Sequence, residues 1–254
     1  MSIFNYSRSL IGLLLATSLT SSALADTVKL TSGTQQVSLI ELFTSEGCSS
    51  CPPAEAWLNR FVDDEKLWKQ VIPMAFHVDY WDYIGWKDRF AQKQFSERQY
   101  RYQKEGGVRT VYTPGVFLNG KEWRSRSSQL PAGSAQTVGT LSVEVTDQGL
   151  TARFDPVEQS DKTLRLYVAV LAFGINTEVA AGENRGRQLT HEFVVVGLNH
   201  ANSSDLSWHV ALPKVRSVGA KSHAIVAWVT QDNTLRPLQA VGGWIADSNI
   251  KEAG

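Results

Sequence analysis

The sequence contains two cysteines, Cys48 and Cys51, with two serines between them. A Cys-x-x-Cys that follows an apolar strand and opens a helix has a physical reason to be reactive: unpaired N–H groups and the helix dipole favour a thiolate on the first sulfur. Cys48 is then the attacking sulfur, and Cys51, one turn later, resolves the mixed disulfide. The expected chemistry is thiol–disulfide exchange on protein or small thiol substrates, with Cys48 and Cys51 as catalytic residues and no cofactor. Three other uses of the pair compete. A purely structural bridge would close a four-residue loop and restrain the unfolded chain by only about 2 kcal/mol. A closed zinc site needs four ligands, and the five histidines show no paired spacing beside the cysteines, so no metal is assigned. Copper(I) held by both sulfurs and one histidine is the third, since soft thiolates suit that ion.

The elements that must position this pair can be read on either side of it. Val37–Phe43 is an apolar run ended by Thr44-Ser45-Glu46-Gly47, a buried strand followed by a turn. Ala54, Trp57, Leu58, Phe61 and Val62 recur at helical spacing, so a helix is predicted from Pro52 to Val62. Pro52 and Pro53 fall in its first turn, where a missing N–H costs little. Val71–Tyr80 reads as a second strand, with Pro73 placing its start at a sheet edge. Lys87–Glu105 is polar and helical, broken near Ser96 by a capping-box pattern. Asn119-Gly120 is a strong hairpin signal. After a linker from Ser125 to about Gly139, short β-rich runs at Leu141–Thr146, Thr151–Phe154, Leu164–Phe173, His191–Val196, Leu206–Leu212, Ala224–Thr230 and Pro237–Val241 predict a sandwich.

Other side chains could assist the dithiol. His77 and Asp79 alternate onto one face at the carboxyl end of the second strand, where open α/β sheets place ligands, and both are candidates for proton management. His77 also fits a core histidine satisfied by its neighbours. Glu46 lies in a turn and is expected to be solvated, as is the basic, aromatic helix side carrying Arg98, Tyr100, Arg101 and Tyr102. The polar stretch Gly182–His191 is a candidate binding loop.

Leu42-Phe-Thr-Ser-Glu-Gly-Cys-Ser-Ser-Cys-Pro-Pro53, His77-Val-Asp-Tyr-Trp-Asp82 and Tyr112-Thr-Pro114 together resemble the thioredoxin superfamily and, more closely, a family of secreted bacterial thioredoxin-like proteins of unknown function. The resemblance is sharp in the first half and weak in the second. It implies an α/β, thioredoxin-like N-terminal domain, residues 26–130, with a second, all-β sandwich-like C-terminal domain at 138–248. It further implies that Pro114 is cis and that Thr113 and Pro114 bind an extended substrate segment. Glu41, seven positions before Cys48 and one out of register, stands where thioredoxins bury a carboxylate that manages the second cysteine's proton.

Residues 1–25 read as a signal peptide, with Arg8, an apolar run and an Ala-x-Ala box ending at Ala25, which predicts a periplasmic or secreted protein. No later segment resembles a membrane span. Of 25 basic and 25 acidic residues, the signal removes only Arg8, leaving 24 against 25. A near-neutral balance gives no support to nucleic-acid binding through a basic face. The alternative to exchange chemistry is a noncatalytic binding protein that uses its first half as a docking platform.

Overall fold

The computed structural model describes residues 27–124, 131–158 and 162–252. The signal-peptide expectation at 1–25 therefore lies outside the described residues. Within them the chain builds one eight-stranded sheet that joins both halves. Its spatial order is Pro237–Ile245, Ser222–Gln231, Leu164–Phe173, Val194–Ser203, Val71–His77, Ser38–Thr44, Gly115–Leu118 and Lys121–Glu122. Ser38–Thr44 and Val71–His77 run parallel, with Thr44 opposite His77, and every residue of both is buried. Burial on both faces explains why both read as unbroken apolar runs.

The join is a short parallel contact, Val194 opposite Ala75, in which the Ala75 N–H donates to the Phe193 carbonyl at 2.8 Å. Alternate residues of a strand point their N–H groups to the same side, so Pro73 faces the flank just before Val194 arrives. Its missing N–H therefore costs nothing there, and a proline is accommodated inside the sheet.

This corrects the expected fold class. The chain is mostly β-sheet, with two α-helices among the described residues, and does not form an α/β thioredoxin-like domain with a helical layer beside a separate sandwich. The physical reason lies in the core. One apolar cluster runs from Leu39, Phe43 and Phe76 across to Leu171, Phe193 and Trp228, so strands of the second half extend the sheet of the first and share its core instead of forming a separate sandwich. A four-stranded sheet, Val28–Thr31, Gly139–Thr146, Gly149–Pro156 and Ser207–Val210, packs on the second half through Leu141, Phe154, Leu166, Val168 and Ile225.

The helices differ in detail from expectation. The first, α1, spans Pro52–Asn59 and stops short of Val62. The second, α2, spans Lys93–Lys104 without a break at Ser96. The Ser96 hydroxyl bonds Asp79, at 2.5 Å to its carboxylate and 3.2 Å to its N–H, instead of capping a new helix. Asn119 and Gly120 turn the hairpin with positive φ at both positions, 49° and 78°, as an Asn-Gly turn requires.

Candidate functional site

Cys48 and Cys51 are joined as a disulfide with Cα atoms 5.4 Å apart, between the end of the Ser38–Thr44 strand and the start of α1. Cys51 is the residue before the helix, and its carbonyl accepts the N–H groups of Ala54 and Glu55. Pro52 and Pro53 have no N–H at all. The helix therefore brings its dipole to the pair but few free donors.

The pair lies one layer beneath the surface. Cys48 is 1% exposed and Cys51 0%, while Ser49 and Ser50 between them are exposed. The Ser50 hydroxyl rests 3.3 Å from the Cys48 sulfur. Three other pieces complete the cover. The buried Asn184 side chain donates to the carbonyls of Glu46 at 2.7 Å and Cys48 at 3.0 Å. Glu183 accepts the Ser49 N–H. A Cβ on Gly47 would come within 3.3 Å of Trp81 and Ile84, so the turn lies close under both side chains. Gly182–His191, expected to be a binding loop, thus begins as a clamp on the dithiol turn.

Trp81 links that turn to the second predicted element. Its indole N–H donates to the Thr113 hydroxyl at 2.7 Å, and the Thr113–Pro114 peptide bond is cis. Thr110, Tyr112, Pro114, Val116, Trp123 and Arg124 line an open groove of about 440 Å³. Trp57 of α1 packs against Trp123, with ring centroids 5.8 Å apart, so α1 flanks the groove.

The remaining predicted residues part company. Glu41 is buried, but its carboxylate is occupied by Arg98 at 2.6 and 2.9 Å and by the Tyr102 hydroxyl at 2.5 Å, with no bond to the cysteines. Arg98 and Tyr102 are buried, correcting the expectation of a solvated helix side; the guanidinium lies among the rings of Phe76, Tyr102, Tyr167 and Trp228. Asp79 turns to Ser96. His77 turns inward, fully buried, with Nδ1 2.7 Å from Asp88.

Around His77 the fold assembles a cluster that sequence reasoning missed. Glu55, from α1, accepts from the Thr44 hydroxyl at 2.5 Å and pairs with His191 Nδ1 at 2.6 Å. Glu46 is fully buried, not solvated: Trp86 donates to its Oε2 at 2.8 Å, and its Oε1 lies 3.1 Å from His191 Nε2. Asp88 takes the N–H groups of Glu46 and Phe90 besides His77. Burial alone would lower the pKa of both imidazoles. For His77 the charge and hydrogen bond of Asp88 outweigh it and the pKa rises; for His191 the charge of Glu55 and the bond to it, with the nearby Glu46 carboxylate, push it up to about 10. Burial favours a protonated Glu55, but His191 and His77 reverse this and lower its pKa. The sequence singles out His77 and the polar stretch Gly182–His191 but not their meeting, because Glu55 and His191 are 136 residues apart.

A family of proteins of unknown function, DUF1223, matches residues 39–230, a span that includes the dithiol, cis-Pro114, His77 and His191. The chain belongs to that family. Two solved structures are similar to this DUF1223 protein. One, from Agrobacterium tumefaciens, is 21% identical over 87% of this chain and 100% of its own, with a TM-score of 0.58. The other, HBP35 of Porphyromonas gingivalis, is 15% identical over 88% of this chain and 79% of its own, with a TM-score of 0.51. At these identities both likenesses concern the fold alone. No curated protein matches.

Proposed function

We propose that this DUF1223 protein is an exported thiol–disulfide exchange protein, in which Cys48 attacks, Cys51 resolves, and Thr113 and Pro114 bind the substrate segment. The observation that carries the reading is one of position. A strand, a Cys-Ser-Ser-Cys turn and a helix start are tied through Trp81 to a cis-Pro114 beside an open groove. Kinship with the thioredoxin superfamily is proposed for this unit of motifs only, since the architecture as a whole is different. Exchange forms a bond from the Cys48 thiolate to one substrate sulfur and releases the other as a thiolate; Cys51 then displaces the first, leaving the Cys48–Cys51 disulfide and a reduced substrate. Scarce free N–H groups at α1 give a Cys48 thiolate little stabilisation. This favours the disulfide form and hence work as a reductant.

Purified protein equilibrated with dithiol buffers is expected to titrate reversibly as a two-electron couple at or below about −270 mV, the thioredoxin range. Cys51→Ala, expressed in the native compartment, is expected to accumulate mixed disulfides that Cys48→Ala lacks. The burial of both sulfurs favours a second reading, a structural bridge in a binding protein. That reading prevails if the disulfide is reduced only on unfolding and Cys51→Ala traps nothing.

A further inference from the structure

We propose that the cluster behind the dithiol is a zinc(II) site, with Glu55, His77 and His191 as its three protein ligands and water as the fourth. Nothing in the exchange chemistry needs this site, and it does not depend on that chemistry being correct.

One donor atom from each of Glu55, His77 and His191 lies within 4.8 Å of the other two, and all three residues are buried. An unpaired atom then points to a ligand. His77 Nδ1 is taken by Asp88, so Nε2 is what His77 has left to offer, and that atom is buried without a hydrogen-bond partner. On the far side of the His191 ring, Nε2 lies 3.1 Å from Glu46 Oε1, a carboxylate behind the ligand as Asp88 is behind His77. That leaves Nδ1, already beside Glu55, as the His191 donor. Buried polar atoms are normally satisfied, and the orphaned His77 Nε2 leaves a gap beside Glu55 and His191 that a coordinating ion would fill.

The supporting shell is of the kind metal sites have. A ligating histidine usually gives its other ring nitrogen to a carboxylate, as His77 does to Asp88, and Asp88 is itself held by two backbone N–H groups. Three carboxylates, Glu46, Glu55 and Asp88, surround two imidazoles, so a divalent cation reduces the excess negative charge. Imidazole and carboxylate donors suit zinc, which needs a tetrahedral set. Zinc bonds of about 2.1 Å at tetrahedral angles place donors about 3.4 Å apart, so the widest separation closes by roughly an ångström on binding. The shared proton between His191 and Glu55 leaves as the ion enters. The elements are firm enough to hold this geometry: Thr44 and His77 end paired central strands, Thr44 fixes Glu55, and Asn59 of α1 bonds the Thr190 carbonyl and the Glu192 N–H on either side of His191.

The test uses oxidised, untagged protein freed of metal by a chelator and titrated with zinc chloride, so that the sulfurs are unavailable as ligands. One zinc per chain is expected, with a raised Tm that a chelator reverses. Asp88→Asn is expected to weaken zinc binding about 10- to 100-fold, and His77→Ala or His191→Ala by more. Cobalt(II) in the wild-type protein is expected to give the intense visible bands of a tetrahedral site without a thiolate charge-transfer band, a readout that stands even if a histidine variant does not fold. Absence of stoichiometric uptake, uptake unchanged in folded His77→Ala, or only the weak octahedral cobalt spectrum would overturn the site. A redox-inert protein that still binds zinc would sink only the exchange function.

Discussion

Replacing Arg98 by methionine is expected to destabilise the protein by about 3–5 kcal/mol, the usual result of stranding one member of a buried ion pair. Glu41 and Arg98 are 1% and 4% exposed, and two hydrogen bonds join them. The guanidinium stacks among four aromatic rings, so methionine keeps much of its packing while removing its charge. The Glu41 carboxylate is then left in an apolar core with only the Tyr102 hydroxyl. Removing both charges removes that penalty. Glu41→Leu with Arg98→Met is expected to recover most of the loss, short of about 1–3 kcal/mol for the orphaned Tyr102 hydroxyl, and adding Tyr102→Phe should recover that too. Urea midpoints at constant m-value measure all three. A single variant losing less than 1 kcal/mol, or a double variant weaker than the single, would show that the pair does not carry its charge buried.

Asn184→Ala is expected to speed reduction of the folded protein's disulfide by dithiothreitol by about 30-fold. The side chain holds the Gly182–His191 segment on the dithiol turn with two hydrogen bonds, each worth about 1 kcal/mol net. If the sulfurs react only when this cover lifts, weakening it by about 2 kcal/mol raises the open population by that factor. Glu183→Ala, which loses one bond at an exposed position, should give a smaller increase. Equal rates in wild type and Asn184→Ala, with the variant still folded, would mean that Trp81 and Ser50 control access, or that reduction needs global unfolding.

The local elements were legible because periodicity and turn chemistry are local. The apolar run before Cys48, the helical spacing after it and the Asn119-Gly120 turn lie where they were expected. What escaped was partnership. An apolar run such as Val71–His77 announces burial on both faces, but not that a strand from the second half lies beside it, so the fold class was misjudged. Glu46 in a turn reads as solvated because nothing nearby reveals that Trp86, His191 and Asn184 close over it. Asp88 and His191 carry no signal alone: one acid among charges and one histidine at a strand end acquire meaning only when the sheet brings them to His77. Arg98 was likewise read from its polar helix, whereas its real environment comes from Glu41, Tyr167 and Trp228.

The short union of Val194 with Ala75 has a consequence for how this chain comes into being. During synthesis the cysteines emerge well before the strand that flanks their half, and until it arrives Val71–His77 has an open edge and an uncovered apolar flank. The nascent N-terminal portion is thus a sticky intermediate whose thiols lack their final shelter. Residues 26–130 produced alone are expected to aggregate, or to show poor dispersion in an NMR spectrum, and co-expression of residues 131–254 should rescue them.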